Sequence, residues 1–452
     1  MEKCIAAAAT PIAPSGIAVV RLSGIDSIKI ASKIFRPVKK NLEMLAGYSA
    51  AYGHIVEKEE IIDDGVALVF RAPNSYTGED TVEISCHGGI LIIEKVLELC
   101  YANGASPAQN GEFTKRAFLN NKMNLTQAEA VMDLINAQSV VALKAANAAK
   151  SGALCKKIDN ICKNIVEIDG HIQAWLDYPD EDIDLVDSKN VAQELDMLKI
   201  ELEKILKNYR LGNLVKSGVK TVIVGKPNVG KSTITNLLSG REKSIVTDIS
   251  GTTRDIVESE IQIDGLAFIL FDTAGIREAQ DAIEKIGIER AKDKLEEADL
   301  ILFIADGSQN IDKAELEFLR NYAKIPKICV LNKEDLGILE QKIKVDDFSC
   351  VVKTSCKKPA TIENLKQKML ELMKLNSFDF SAPLIFNERQ KIAIKKAIED
   401  LQEAINAIEN GLTWDAICVS IENAIDHLLE LTGETSSERV IDEVFSKFCV
   451  GK

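Results

Sequence analysis

The chain is short of positive charge. Lysine and arginine number 55 against 69 aspartates and glutamates, a net of −14 over 452 residues. Bulk attraction therefore cannot coat it onto a nucleic acid, and any such contact needs a local basic patch or a partner. Histidine is scarce at four, and the ten cysteines are dispersed from Cys4 to Cys449 with no C-x-x-C. Neither a disulfide framework nor a zinc site is expected, and reduced thiols in a cytoplasmic protein are. No apolar run approaches a membrane span. The N-terminal MEKCIAAAATPIAPSG has one lysine, an early Glu2 and no leucine-rich core, so it reads as a first buried strand ending at Pro11 rather than a signal peptide. What is there, 46% hydrophobic and 27% charged residues, is ordinary for a globular protein and, at about 150 residues per domain, suggests about three domains.

Four blocks separate by pattern. Residues 1–118 hold short β-rich runs (IAVVRLSG, GVALVFRAP), a turn-like PNSYTGED and a helical EKVLELCYANG ending at a glycine. This reads as a small α+β domain. Residues 119–215 turn helical: LTQAEAVMDLINAQSVVALKAANAAKSGAL has no proline, Thr126 and Glu129 suggest a capping box, and Leu195, Leu198, Leu202, Ile205 and Leu206 make an apolar stripe. Residues 216–378 alternate β and α, and KTVIVG, AFILFD, LILFIAD and KICVLN suit central strands of a mainly parallel sheet. Residues 379–452 are helical again, with Ile394, Ile398, Leu401 and Ile405 on one face. The simplest arrangement is one helical domain interrupted by an inserted α/β domain.

Chemistry concentrates in the insert. Gly225-Lys-Pro-Asn-Val-Gly-Lys-Ser232 fits G-x-x-x-x-G-K-[ST] between a strand and a helix. Backbone N–H groups there can close on phosphate, Lys231 can reach the β- and γ-phosphates, and Ser232 can bind Mg²⁺. Thr252-Thr253 follow in a loop where a threonine can cover Mg²⁺. Asp272-Thr-Ala-Gly275 ends a strand, its Asp suited to the Mg²⁺ shell and its Gly to the γ-phosphate. Asn332-Lys-Glu-Asp335 ends another. Its carboxylate can accept from guanine N1–H and the exocyclic amine, a donor pair adenine lacks, which points to GTP. Thr354-Ser355-Cys356 is a further base-contacting loop that departs from the usual S-A-K. After DTAG stands Ile276, which cannot orient water as a Ras-type glutamine does, leaving Arg277, Glu278 and Glu284 as candidates.

With PNSYTGEDTVEISCHGG, GEFTKRAFLNNKMNLTQAEA, DYPDEDID, TDISGTTRD, DTAGIREAQDAIEKIGIERA and the terminal Cys449-Val-Gly-Lys452, the whole chain resembles the MnmE (TrmE) family of tRNA modification GTPases. The resemblance implies a multidomain α+β and α/β protein: an N-terminal folate-binding and dimerisation domain, a helical domain, and an inserted Ras-like P-loop GTPase domain. It implies GTP binding by Asn228, Val229, Gly230, Lys231, Ser232 and Thr233, then Thr247, Asp248, Ile249, Ser250, Gly251, Thr252 and Thr253. Asp272, Thr273, Ala274 and Gly275 follow, with Asn332, Lys333, Asp335 and Ser355 at the base. Mg²⁺ is implied at Ser232 and Thr253, and K⁺, in place of an arginine finger, at Asn228, Thr247, Ile249 and Thr252. The glutamate nine residues after Gly275, Glu284, is then the catalytic residue that orients water, in preference to Arg277 and Glu278.

By the same resemblance, Arg21, Glu83, Lys122 and Lys452 hold a 5-formyl- or 5,10-methylene-tetrahydrofolate. Arg21 and Lys122 can pair with its glutamate tail, while Glu83 can accept from pterin N–H groups. Cys449 is given a placement role. The implied assembly is a homodimer through the N-terminal domain, joined by an MnmG-type FAD protein in a heterotetramer that modifies tRNA, with no membrane. Its reaction adds an aminomethyl or carboxymethylaminomethyl group to C5 of the wobble uridine. The competing reading is a ribosome-assembly or RNA-binding switch GTPase with a KH domain. Its G-x-x-G loop is missing, since no two glycines stand three apart.

Overall fold

Strand alternation builds the first sheet. In β2 (Ser15–Ser23), Ala18, Val20 and Leu22 are buried while Val19 and Arg21 face the other way. The computed structural model describes residues 3–178, 187–239, 258–272, 293–339, 347–374 and 383–452. Here β1 (Ile5–Ala8), β2, β3 (Phe35–Pro37), β4 (Ser49–Glu57), β5 (Glu60–Phe70), β6 (Thr81–Gly88) and β7 (Ser106–Pro107) form one sheet in the order β3-β4-β5-β6-β2-β1-β7. Only the short β1–β7 pair is parallel. Val20, Leu22, Val82 and Ile84 pack under Ile28 and Ile34 of helix Ser27–Ile34 and under Ile93 and Val96 of helix Ile90–Ala102. The expected N-terminal buried strand is present as Ile5–Ala8, ending short of Pro11.

By packing the chain divides into two units. The first joins Met1–Met132, Ala149–Leu202 and Ile392–Lys452, and the second joins Asp133–Ala148 and Glu203–Lys391. The first thus pairs the sheet with helices drawn from both sides of the interrupting stretch. Along the chain the proline-free helical run is broken into Leu125–Ile135, Val140–Lys150 and Ala153–Asp177. Ser139 Oγ accepts from Ala142 N and restarts the helix, and Gly152, at φ +81°, supplies the second break. The capping box expected from Thr126 and Glu129 is made by other residues. Asn124 Oδ1 accepts from Gln127 N at 2.9 Å and Gln127 Oε1 accepts from Asn124 N at 3.0 Å. Thr126 turns inward instead, against Cys155.

The second unit holds β8 (Val219–Val224), β9 (Glu258–Ile263), β10 (Leu266–Asp272), β11 (Leu300–Asp306), β12 (Lys327–Asn332) and β13 (Cys350–Lys353), in the order β13-β12-β11-β8-β10-β9. Every pair is parallel except β9–β10. β11 and β12 are buried at every position, as their unbroken apolar sequences require. All ten cysteines are free, and only Cys449 is exposed. Among the described residues no helix is long and apolar enough to cross a membrane.

One buried charge has a measurable consequence. Asp169, on helix Ala153–Asp177, is 7% exposed and accepts from Gln173 at 2.7 Å. Burial, abetted by Glu422, pushes its pKa up against the opposing pull of Cys418 and Gln173. A carboxyl whose folded-state pKa is raised favours folding when neutral, and that contribution is lost as pH rises through the folded value. Asp169→Asn is therefore expected to raise the melting temperature by about 2–4 °C at neutral pH, with the gain shrinking as pH falls toward about 4. Thermal melts of both proteins across that range check it.

Candidate functional site

In the parallel sheet the loops after β8, β12 and β13 leave from the same edge. The loop after β8 begins at Gly225, where a Cβ would stand 2.1 Å from Ile304 O of β11 and φ is +146°. Only glycine lets the loop pass that close. Asn228 is exposed, at φ +62°. Helix Lys231–Ser239 follows, so the expected phosphate cradle and helix N-terminus are present. Lys231 is 7% exposed, and its Nζ donates to Gly225 O at 2.9 Å and Lys226 O at 2.8 Å. Those carbonyls hold the ammonium inside the loop that phosphates would fill. Ser232 and Thr233 are exposed on the first turn of the helix, where a hydroxyl suits a hard cation.

The base end is built by β12 and β13. Asn332, 2% exposed, donates from Nδ2 to Val229 O at 2.8 Å, tying the end of β12 to the phosphate loop. Lys333, at φ +65°, pairs with Asp306 at 2.7 Å. Burial disfavours the Asp306 charge, but Lys333 and Ser308 outweigh it and keep that pKa low. Asp335 accepts from Ser355 Oγ at 2.8 Å and from Lys357 Nζ at 2.6 Å. Lys357, then Ser355, hold its carboxyl below the usual range, so it stays an acceptor. The loop read as a departure from S-A-K is Ser355-Cys356-Lys357, the same form with cysteine for alanine. Lys357 was missed because the motif was framed one residue early, although the sequence contained the signal.

Thr247, Asp248, Ile249, Ser250, Gly251, Thr252, Thr253, Thr273, Ala274, Gly275 and Glu284 lie outside the described residues, as do Ile276, Arg277 and Glu278. Of Asp272 only the backbone is described, as the last residue of β10, paired with Ile223 of β8.

A second constellation lies in the other unit. Arg21 of β2 and Glu83 of β6 are cross-strand partners, with Nη2–Oε1 at 2.7 Å and Nε–Oε1 at 2.8 Å. The Arg21 guanidinium also stands 5.7 Å from the Tyr76 ring centre and 5.6 Å from that of Phe113. Its Nη1 donates to Gly451 O at 3.3 Å, which brings the C-terminal tail to the pair. The tail is seated by a bridge between Asn110 and Val450, by Gly111 N donating to Cys449 O, and by Phe445 and Phe448 packed with Leu125 and Ala128. Gly451 fits because a Cβ would lie 2.1 Å from Ala8 O. Lys452 is half-buried; burial first, then Arg21 and Lys150, lower its pKa against the pull of Glu83.

Arg21, Glu83 and Lys452 thus converge, and Cys449 is exposed on the same tail. Lys122 donates to Pro73 O at 3.0 Å, on the loop that also carries Tyr76. Tyr76 was not singled out from sequence; its only signal was membership in PNSYTGED. Two cations grouped with one carboxylate and two aromatic rings suit a planar anion.

The tie between Asn332 and the phosphate loop needs glycine at position 230. There φ is +98° and a Cβ would stand 2.3 Å from Asn332 Nδ2. Gly230→Ala is expected to weaken GTP binding on the order of tenfold or more through backbone strain and the displaced amide. Titration with a fluorescent GTP, alongside a melt of the protein, measures the loss.

The comparisons agree along the whole chain. The family model described as the MnmE helical domain matches residues 125–449, and that of the GTP-binding protein TrmE N-terminus matches residues 4–122. The tRNA modification GTPase MnmE of Clostridioides difficile is 38% identical over 457 residues, covering 100% of both chains. That of Thermoanaerobacter pseudethanolicus is 39% identical over 455 residues, covering 99% of each. Among solved structures, Era of Aquifex aeolicus bound to GDP.AlF4- is 30% identical, covers 40% of this chain and 65% of its own, and has a TM-score of 0.27. With a helical-domain match over residues 125–449, a TrmE N-terminal match before it and relatives 38% and 39% identical along the whole chain, the chain belongs to the MnmE family of tRNA modification GTPases.

Proposed function

We propose that this tRNA modification GTPase uses K⁺ as its charge-neutralising group and a folate as its one-carbon source. In this reading Lys231 leaves its carbonyls for the β- and γ-phosphates, and Asp335 and Ser355 select guanine. Ser232 and Thr253 hold Mg²⁺. Asn228, Thr247, Ile249 and Thr252 hold K⁺, which neutralises charge developing between the β- and γ-phosphates. Glu284 orients the attacking water. The position of Asn228 in the phosphate loop, exposed and carrying a carbonyl oxygen, suits a monovalent cation. If so, hydrolysis is on the order of tenfold or more faster in KCl than in NaCl, and Glu284→Ala keeps GTP binding but loses turnover. Phosphate release in the two salts, with binding measured in parallel, decides both.

The observation that carries the folate reading is the convergence of Lys452 with the Arg21–Glu83 pair. Two cations face one carboxylate, which leaves positive charge for the glutamate tail of a folate, while Glu83 can turn an oxygen to pterin N–H groups. Lys122 then reaches the ligand from the Tyr76 loop, and the tail holds Cys449 in place beside it. Arg21→Ala is expected to weaken 5-formyl-tetrahydrofolate binding at least about tenfold, leaving GTP affinity unchanged. Calorimetry with each ligand tests the two halves separately.

At the level of the whole protein, residues 1–118 form the folate-binding and dimerisation domain, 119–215 and 379–452 the helical domain, and 216–378 the G domain. An MnmG-type FAD protein joins the homodimer in a cytoplasmic heterotetramer, and together they add an aminomethyl or carboxymethylaminomethyl group to C5 of the wobble uridine. The net charge of −14 supports a division of labour in which the partner supplies much of the tRNA-binding surface. Nucleoside analysis of tRNA from cells lacking the gene is expected to show loss of the C5-substituted wobble uridine.

A further inference from the structure

The Arg21–Glu83 pair has a polar neighbour on its own face of the sheet. Two residues along the same strands, about 7 Å away, Ser23 and Thr81 are again cross-strand partners, and both are buried. Ser23 Oγ donates to Glu79 Oε2 at 2.9 Å and shares a hydrogen bond with Thr77 Oγ1 at 2.7 Å. From the other side comes Arg116, 4% exposed on helix Glu112–Leu119. Its Nη1 donates to Glu79 Oε2 at 3.2 Å and Oε1 at 3.3 Å, and its Nη2 to Glu112 Oε1 at 2.8 Å. Burial opposes the Arg116 charge, but Glu112 and Glu79 outweigh it. The Glu79 carboxylate is thus clamped between β2 and the helix.

Three residues before Glu79 stands Tyr76, whose ring lies 5.7 Å from the Arg21 guanidinium. Its hydroxyl is bonded to Thr114 Oγ1 at 3.0 Å, on the helix that also supplies Arg116 and the Phe113 ring. Between Tyr76 and Glu79, Thr77 O accepts from Asn120 Nδ2 at 2.7 Å. We propose that Glu79 is a positioning residue for the anion site, holding the Tyr76 ring against the Arg21 guanidinium through its clamp on Ser23 and Arg116. The proposal rests on the folate reading of that site. Glu79 takes its side-chain hydrogen bonds from Ser23 and Arg116, and so acts on Arg21 through the loop. With two rings against it, the guanidinium keeps the plane in which Nε and Nη2 meet Glu83 and Nη1 meets Gly451 O. Releasing the loop gives Arg21 freedom that a bound ligand must then remove, and affinity falls by that cost.

The test measures calorimetric binding of 5-formyl-tetrahydrofolate and of GTP to the full-length protein. The set is wild type, Glu79→Gln, Tyr76→Ala, their double variant, Ser23→Ala and Arg21→Ala. Glu79→Gln keeps the size of the side chain but turns an amide toward a donor. It should weaken folate binding on the order of tenfold and leave GTP affinity unchanged. Tyr76→Ala should do the same, and the double variant should bind no more weakly than Tyr76→Ala alone. Ser23→Ala removes one donor from Glu79 at almost the same shape and should weaken folate binding about two- to fivefold. Where Glu79→Gln loses GTP binding as well, the fold is at fault and Ser23→Ala decides. Unchanged folate affinity in the deciding variant overturns the proposal and leaves the role of Arg21 standing. Additive losses in the double variant also overturn it, because Glu79 would then act by a route other than Tyr76. Wild type that binds no folate, or Arg21→Ala that binds it as tightly as wild type, overturns the folate reading and this proposal with it.

Discussion

The nucleotide site hangs on one hydrogen bond, from the Asn332 amide to Val229 O. β8 and β12 are not neighbours, since β11 lies between them. No direct ladder pairing therefore joins the phosphate loop to the end of β12. The Asn332 side chain spans that gap, and it can do so only because residue 230 has no Cβ to meet it. Both ends of a nucleotide are thereby referred to the same rigid sheet, with β11 and β12 buried at every position beneath them. A buried amide in this role is high in consequence, because a lost partner would leave a polar group unsatisfied in the interior.

A common tactic runs through both units. Charged side chains at both sites are engaged by neighbours within the protein. Lys231 sits on loop carbonyls, Asp335 is covered by Ser355 and Lys357, and Arg21 is divided between Glu83 and Gly451 O. For Lys231, which is buried, the carbonyls satisfy hydrogen bonds that burial would otherwise leave costly. Around Glu83, burial first and then Arg21 and Lys150 lower the Lys452 pKa against the pull of Glu83.

Sequence reading was strongest where a function demands residue types at fixed spacing. The phosphate loop, the strands that precede it and the N-K-x-D element follow from glycines, a lysine and continuous apolar runs, and they stand where expected. It was weaker where two local solutions compete. Asn124 and Gln127 cap the helix in place of Thr126 and Glu129 because the Thr126 hydroxyl turns to Cys155. One proline-free run became three helices because Ser139 and Gly152 interrupt it without proline. Lys357 was legible in principle, but its role depended on seeing which carboxylate it covers.

The residues by themselves determined the chemistry at the G-protein motifs, the succession of sheet and helix, and the family to which the chain belongs. These are local or pattern properties, carried by side-chain type and spacing along the backbone. Only the tertiary structure decided that Gly451, 430 residues from Arg21, would come within hydrogen-bond reach of it. It also decided that Tyr76 and Phe113 would flank that guanidinium and that Asn332 would reach across β11 to the phosphate loop. Spacing in sequence says nothing about such pairs. They are set by strand register and close packing, which act between segments the chain must first bring together.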